Sequence, residues 1–259
     1  MSTNGWKIIP KDSWKEVVAG YADRINRIRK LDPWNIELSE KPTNTVTEEC
    51  VFAFTDEPLA KQIIKRLGFY GARTYFVALQ VSQKIADLWE SGQFIVVPLN
   101  TRFVFECWGG VHYGVLILQR LTKGGDAGKE YERTERLTFG TRTEIHLPWG
   151  ETSSDLKSIH IMDFVRGLKD LEPNAEDIYN FLSESSHPSF TENAYFQMAG
   201  PPISNWDNKG FEKVAKPLLE RCFDILEKSI DGIIKDAFQL SFASRLLSDE
   251  MHGEGGIEP

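Results

Sequence analysis

The chain has little of what most functional readings start from. It has only three cysteines, Cys50, Cys107 and Cys222, far apart and without a CxxC pair. That excludes a disulfide framework or a thiolate zinc site as a first reading and fits a reducing compartment. No apolar run approaches the roughly 18 to 20 residues needed to cross a bilayer, and the start, MSTNGWKIIPKDSW, has no hydrophobic signal core. A soluble, cytoplasmic protein with no membrane attachment is expected. The five histidines form no HxxxH or HExxH pair, and GxSxG, GxGxxG and GKS or GKT loops are missing. These gaps remove the simple motif routes to zincins, α/β-hydrolases, dinucleotide enzymes and P-loop NTPases, so no metal and no cofactor is expected. A basic surplus is missing too. With 38 acidic residues against 30 basic ones the net charge is -8, which opposes a broad grip on phosphate backbones while leaving room for one local basic pocket.

What is present is core material. Hydrophobic residues make up 41% of the 259 residues and aromatics 12%, enough for a sizeable core and far from the composition of disorder. The apolar spacing predicts an all-α helical bundle with an N-terminal helical arm. After Asp12 and Ser13, the positions Trp14, Val17, Val18, Tyr21, Ile25 and Ile28 recur at helical spacing. A proline-bearing connector, 31–46, makes that helix a separable arm, leaving 47–247 as the bundle and 248–259 as a flexible tail. Two helices are expected at 58–67 and 73–90, punctuated by Gly68 and Gly71, and a long buried one at 98–122. The charged, glycine-bearing stretch 122–152 reads as a loop-rich insertion with a short helix at 129–136. Helical spacing returns after Ser153 or Ser154, through Leu156, Ile159, Met162, Phe164, Val165 and Leu168. A shorter helix follows Asn174, and a last long one covers 210–247, with Pro217 predicted to kink its first part.

Two places carry candidate chemistry. On the apolar helix, Arg102 and Glu106 stand at i and i+4, with His112 and Tyr113 about two turns on. Charges on so apolar a helix need partners. They form either an intrahelical ion pair that orients neighbouring helices, or a cleft in which Arg102 holds an anion beside Glu106. A pocket there would suit a small-molecule sensor, with Arg102 and Tyr113 as ligand-binding residues. Gly109, Gly110 and Gly114 on the same helix each cost roughly 1 kcal/mol relative to alanine, so close approach of a second backbone or of a ligand is expected. The second place is YNFLSESSHPS, which puts His187 before Pro188 at a helix end. Its charged form suits the negative end of the helix dipole, and as an exposed imidazole it could serve as a general acid or base.

The run TRFVFECWGGVHYG, followed by SIHIMDFVRGL and DIYNFLSESSHPS, resembles bacterial proteins related to the HEPN superfamily, the higher eukaryote and prokaryote nucleotide-binding helical domains. The resemblance covers approximately residues 70 to 245. It implies a helical bundle, self-association, and a role either as a ribonuclease that needs no metal or as an accessory part, beside a partner protein, of toxin or antiviral systems. Active members pair an arginine with a histidine that follows it after four to six intervening residues, to promote attack of a ribose 2′-hydroxyl on the adjacent phosphate of RNA. His187 matches the histidine, but the arginine positions hold Asn180, Phe181 and Leu182. Arg245 and His252 match the spacing formally, at the end of the last helix and in the tail. The resemblance thus implies a degenerate member serving as a binding or assembly module. A catalytic reading needs His187, Glu106 and Arg102 as catalytic residues, with Arg102 or Arg166 steadying the phosphate.

Overall fold

The computed structural model describes residues 19–33, 58–90, 96–140, 157–186 and 216–253, the last with side chains as far as Leu247. Among the described residues every regular element is a helix, so the fold is an all-α bundle. The elements are α1 (Ala22–Arg29), α2 (Pro58–Glu90), α3 (Val97–Thr122), α4 (Ala127–Phe139), α5 (Ile161–Gly167) with a 3-10 turn at Leu168–Asp170, α6 (Ala175–Ser185) and α7 (Lys216–Gly253). None of the described helices is long and apolar enough to cross a membrane. The chain divides into two compact units, the first made of residues 1–32, 78–105 and 176–230, the second of 33–77, 106–175 and 231–259.

In the first unit α1 is docked against α2 and α7, where a separable arm was expected. The reason is its buried face: Ile25 and Ile28, one turn apart, are fully enclosed. Beside them the rings of Tyr21, Trp89 and Phe223 form a cluster with centroids 5.0 to 5.6 Å apart. Arg24 reaches Glu227 at 2.7 Å and lies over the Phe223 ring, and Arg29 forks onto Glu90 and Asp87. Exposed ion pairs of this kind contribute at most about 1 kcal/mol each. Burying one phenylalanine contributes roughly 1.5–3 kcal/mol, so the aromatic cluster is what seats the helix.

The second unit contains the glycines. Gly68 and Gly71 do not divide two helices; α2 runs unbroken from Pro58 to Glu90. Both glycines are places where α7 comes close: a β-carbon on Gly68 would overlap that of Ser244, and one on Gly71 would lie 3.2 Å from the Leu240 side chain. The expectation for α3 is met in the same way. Gly109 lies against Phe164 of α5, Gly110 makes room for the Tyr70 hydroxyl, and Gly114 faces Leu240 and Leu67. Trp108 lies on Gly232, so that α3 and α7 run parallel while α2 runs antiparallel to both.

A tight turn then reverses the chain. Gly124 takes a φ of 81°, where a side chain would be strained, and Asp126 caps α4 by accepting from the backbone N–H groups of Gly128 and Lys129. The short helix expected at 129–136 is therefore longer, Ala127–Phe139, and it buries Glu130, Thr134 and Leu137. Two other expectations change. Helix α5 starts at Ile161, where the His160 side chain accepts from the Met162 N–H, so the start is not at Ser153 or Ser154. Pro217 stands in the first described turn of α7, and the residues before Lys216, which its expected kink involves, lie outside the described residues. Helix α7 continues past Leu247 to Gly253.

Candidate functional site

The polar series of α3 does not form one cluster. In the first unit, Arg102 donates from Nη2 to the Tyr179 hydroxyl of α6 at 2.9 Å, and its guanidinium carbon lies 5.1 Å from the centre of that ring. Tyr179 therefore supplies both a hydrogen-bond acceptor and a π face to one cation. On the same helix Phe181 carries the Arg221 guanidinium at 4.1 Å. Arginines set on aromatic rings thus tie α6 to both α3 and α7.

The second unit holds Glu106, His112 and Tyr113. Glu106 is half-buried beside Cys107, whose thiol is pushed up to about 12, first by burial and then by that carboxylate. Tyr113 packs edge-on against Phe164 at 5.6 Å and carries the Arg120 guanidinium at the same distance. Arg120 donates from Nε to Glu130 at 3.0 Å, and Arg133 also binds Glu130. A carboxylate only 3% exposed is thereby held by two guanidinium groups, both on Oε1, while its buried Oε2 has no hydrogen bond, so the cost of the buried charge is offset in part. His112 points away from this face, to α7. Its Nδ1 lies 3.1 Å from Oδ2 of Asp236, with the two residues 6% and 4% exposed.

His187, Cys50, His146, Trp149, Ser153 and Ser154 lie outside the described residues, as does the His252 side chain. Arg166 is exposed and stands 3.9 Å from Asp163 on its own helix, an arrangement of little energetic weight. Tyr179, Asp236, Arg120 and Glu130 were not singled out by sequence. For Asp236 a signal existed: it falls on the three-and-four-residue seam Cys222, Leu226, Ser229, Ile233, Asp236, Leu240, Ala243, Leu247, every member of which is buried. A charged residue on such a seam requires a partner.

The described thiols are not poised for nucleophilic chemistry. Cys222 is also pushed up to about 12, by burial that outweighs the opposing pull of Arg221. At pH 8 a thiol with that value is thiolate in only about one molecule in ten thousand, and the thiolate is the reactive form. Cys107 and Cys222 are expected to resist iodoacetamide at pH 8 in the folded chain and to react fully in denaturant. Residue-resolved mass spectrometry checks this, and rapid alkylation of either thiol in the folded chain would contradict it.

No family model, no curated protein and no solved structure matches the chain.

Proposed function

We propose that the chain is a degenerate HEPN-like helical module that acts by binding or assembly, through self-association or with a partner protein, in a bacterial antiviral or toxin-type system. The observation that supports this reading best is the engagement of Arg102. An arginine that steadies a reacting phosphate has to present its fork of donors to the substrate. Arg102 instead sets its guanidinium on the Tyr179 ring and donates to the Tyr179 hydroxyl, which makes it a tie between α3 and α6.

A second reading has one observation in its favour. Tyr179 belongs to α6, and His187 follows in the chain just beyond the last residue of that helix, Ser185. A ribonuclease with His187 as acid and base and Arg102 near the phosphate would draw both residues from this region.

One experiment separates the two. The full chain, His187→Ala and Arg102→Ala are incubated with single-stranded RNA and transfer RNA in the presence of a chelator, and the molar mass is measured by light scattering. The binding or assembly reading expects no His187-dependent products and a mass above that of one chain. RNA cleavage that vanishes in His187→Ala, while the circular dichroism is unchanged, would overturn it in favour of the ribonuclease.

A further inference from the structure

We infer that Arg120 and Arg133, brought together in the second unit by α3 and α4, form a binding site for a phosphate group, free or as a phosphomonoester, with Glu130 as its internal competitor. Both guanidinium groups converge on one atom, Oε1 of Glu130, Arg120 through Nε at 3.0 Å and Arg133 through Nη1. Two cations against one carboxylate leave a positive charge over, within groups that are already in contact. The nearby charges of α4 do not remove it, because Lys129 and Arg136 stand against Asp126 and Glu132, and Glu135 is bound to Arg66. Both arginines stay open to an incoming ion, with side chains 37% and 40% exposed, whereas Glu130 is enclosed. The Arg120 guanidinium also lies over the Tyr113 ring at 5.6 Å, which covers one face of its plane and leaves the edges for hydrogen bonds.

The hydrogen bonding of this cluster is incomplete on both charges. Nη2 of Arg120 and Oε2 of Glu130 are buried, and neither has a partner. They are the donor and the acceptor that would complete a side-on fork, Nε to Oε1 and Nη2 to Oε2, which is the strong form of an arginine–carboxylate pair. Arg133 competes for that fork by holding the same Oε1. An oxyanion at Arg133 gives this arginine other acceptors, so the carboxylate can turn and close the fork with Arg120. Binding then satisfies two buried polar groups besides making its own bonds. A tetrahedral phosphate presents oxygens in several directions and can meet both guanidinium groups, whereas a carboxylate ligand fills one planar fork. This goes beyond the proposed function, because it involves neither His187 nor Arg102 and holds whether or not the chain cleaves RNA.

The test is isothermal titration calorimetry of the full chain, at low and constant ionic strength, with inorganic phosphate, methyl phosphate and acetate. Saturable millimolar binding of phosphate or of methyl phosphate is expected, and acetate should bind more weakly. Arg133→Ala leaves the Arg120–Glu130 pair in place and is expected to weaken binding about tenfold or more. Glu130→Gln removes the competing charge and is expected to tighten it about threefold or more. Circular dichroism checks the fold of each variant, and Arg133→Ala decides alone if Glu130→Gln does not fold. Tighter binding of inorganic phosphate or of methyl phosphate identifies the source and supports the inference equally. The inference is overturned by a wild-type chain that binds neither, by a folded Arg133→Ala that binds as tightly as wild type, by a folded Glu130→Gln that binds no tighter, or by acetate binding as tightly as phosphate.

Discussion

His112→Leu is expected to cost about 3–5 kcal/mol of stability, and Asp236→Asn only about 1 kcal/mol. The asymmetry follows from what each change leaves behind. The Asp236 carboxylate is 4% exposed on a seam otherwise formed by Leu226, Ile233, Leu240 and similar residues, and its contact to α3 is the His112 imidazole at 3.1 Å. Without the imidazole, a desolvated anion faces apolar side chains, which is the costly half of breaking a buried pair. An asparagine at 236 keeps a polar group within reach of Nδ1, so the imidazole retains a hydrogen-bond partner and no charge is left unpaired. The double variant His112→Leu, Asp236→Leu removes both polar groups, and most of the loss from His112→Leu should return. Urea unfolding followed by far-ultraviolet circular dichroism measures all three. Equal losses for His112→Leu and Asp236→Asn would show that the carboxylate has another means of solvation. Total stabilities of about 5–15 kcal/mol are usual, so the larger loss would leave a visibly weakened fold.

The same pair marks how far the sequence could be read. Helix α3 was legible to within a residue at its start and at Thr122 itself, because a long apolar run after Pro98 leaves no other arrangement that buries it. The helical character of α7 was equally plain. Its buried seam was not, because hydrophobic spacing ranks Ile234, Phe238 and Phe242 above Ser229 and Asp236. All three of those apolar residues are only half-buried, whereas Ser229 and Asp236 are enclosed. Ser229 is tolerated because its hydroxyl donates to the Ile225 carbonyl at 2.7 Å, a local bond that sequence reasoning can anticipate. Asp236 is tolerated because of a residue 124 positions away, which no local pattern encodes. Arg102 repeats the lesson. The need for a partner was readable, but the partner, Tyr179, belongs to a helix 77 residues further on. Gly68 and Gly71 misled for a different reason. Glycine is used both to end helices and to let helices touch, and the choice depends on a neighbour, here α7, that lies far along the chain.

That second use of glycine gives the other large effect. Gly68→Ala is expected to destabilise the second unit by about 2 kcal/mol, although alanine is the better helix former by roughly 1 kcal/mol. The added β-carbon would overlap the Ser244 Cβ, and it would lie 2.8 Å from the Ser244 Oγ and 3.2 Å from the Leu240 carbonyl oxygen. Rotation of Ser244 moves its hydroxyl but not its Cβ, and the carbonyl is backbone, so α2 and α7 have to separate. Separation loosens Gly71 against Leu240 and Gly114 against the same residue, which spreads the loss along the seam. The cause can be isolated by removing the opposing atom. Ser244→Gly alone should cost about 0.5 kcal/mol through helix propensity, serine being itself a middling helix former. Combined with Gly68→Ala it takes away the overlapping carbon, so the double variant should be at least about 1 kcal/mol more stable than the sum of the single changes predicts. Thermal unfolding of the four chains closes the cycle. Strict additivity would mean that the two helices are not held in contact at Gly68 and Ser244, and a stabilising Gly68→Ala would mean that they stand further apart there than the geometry gives.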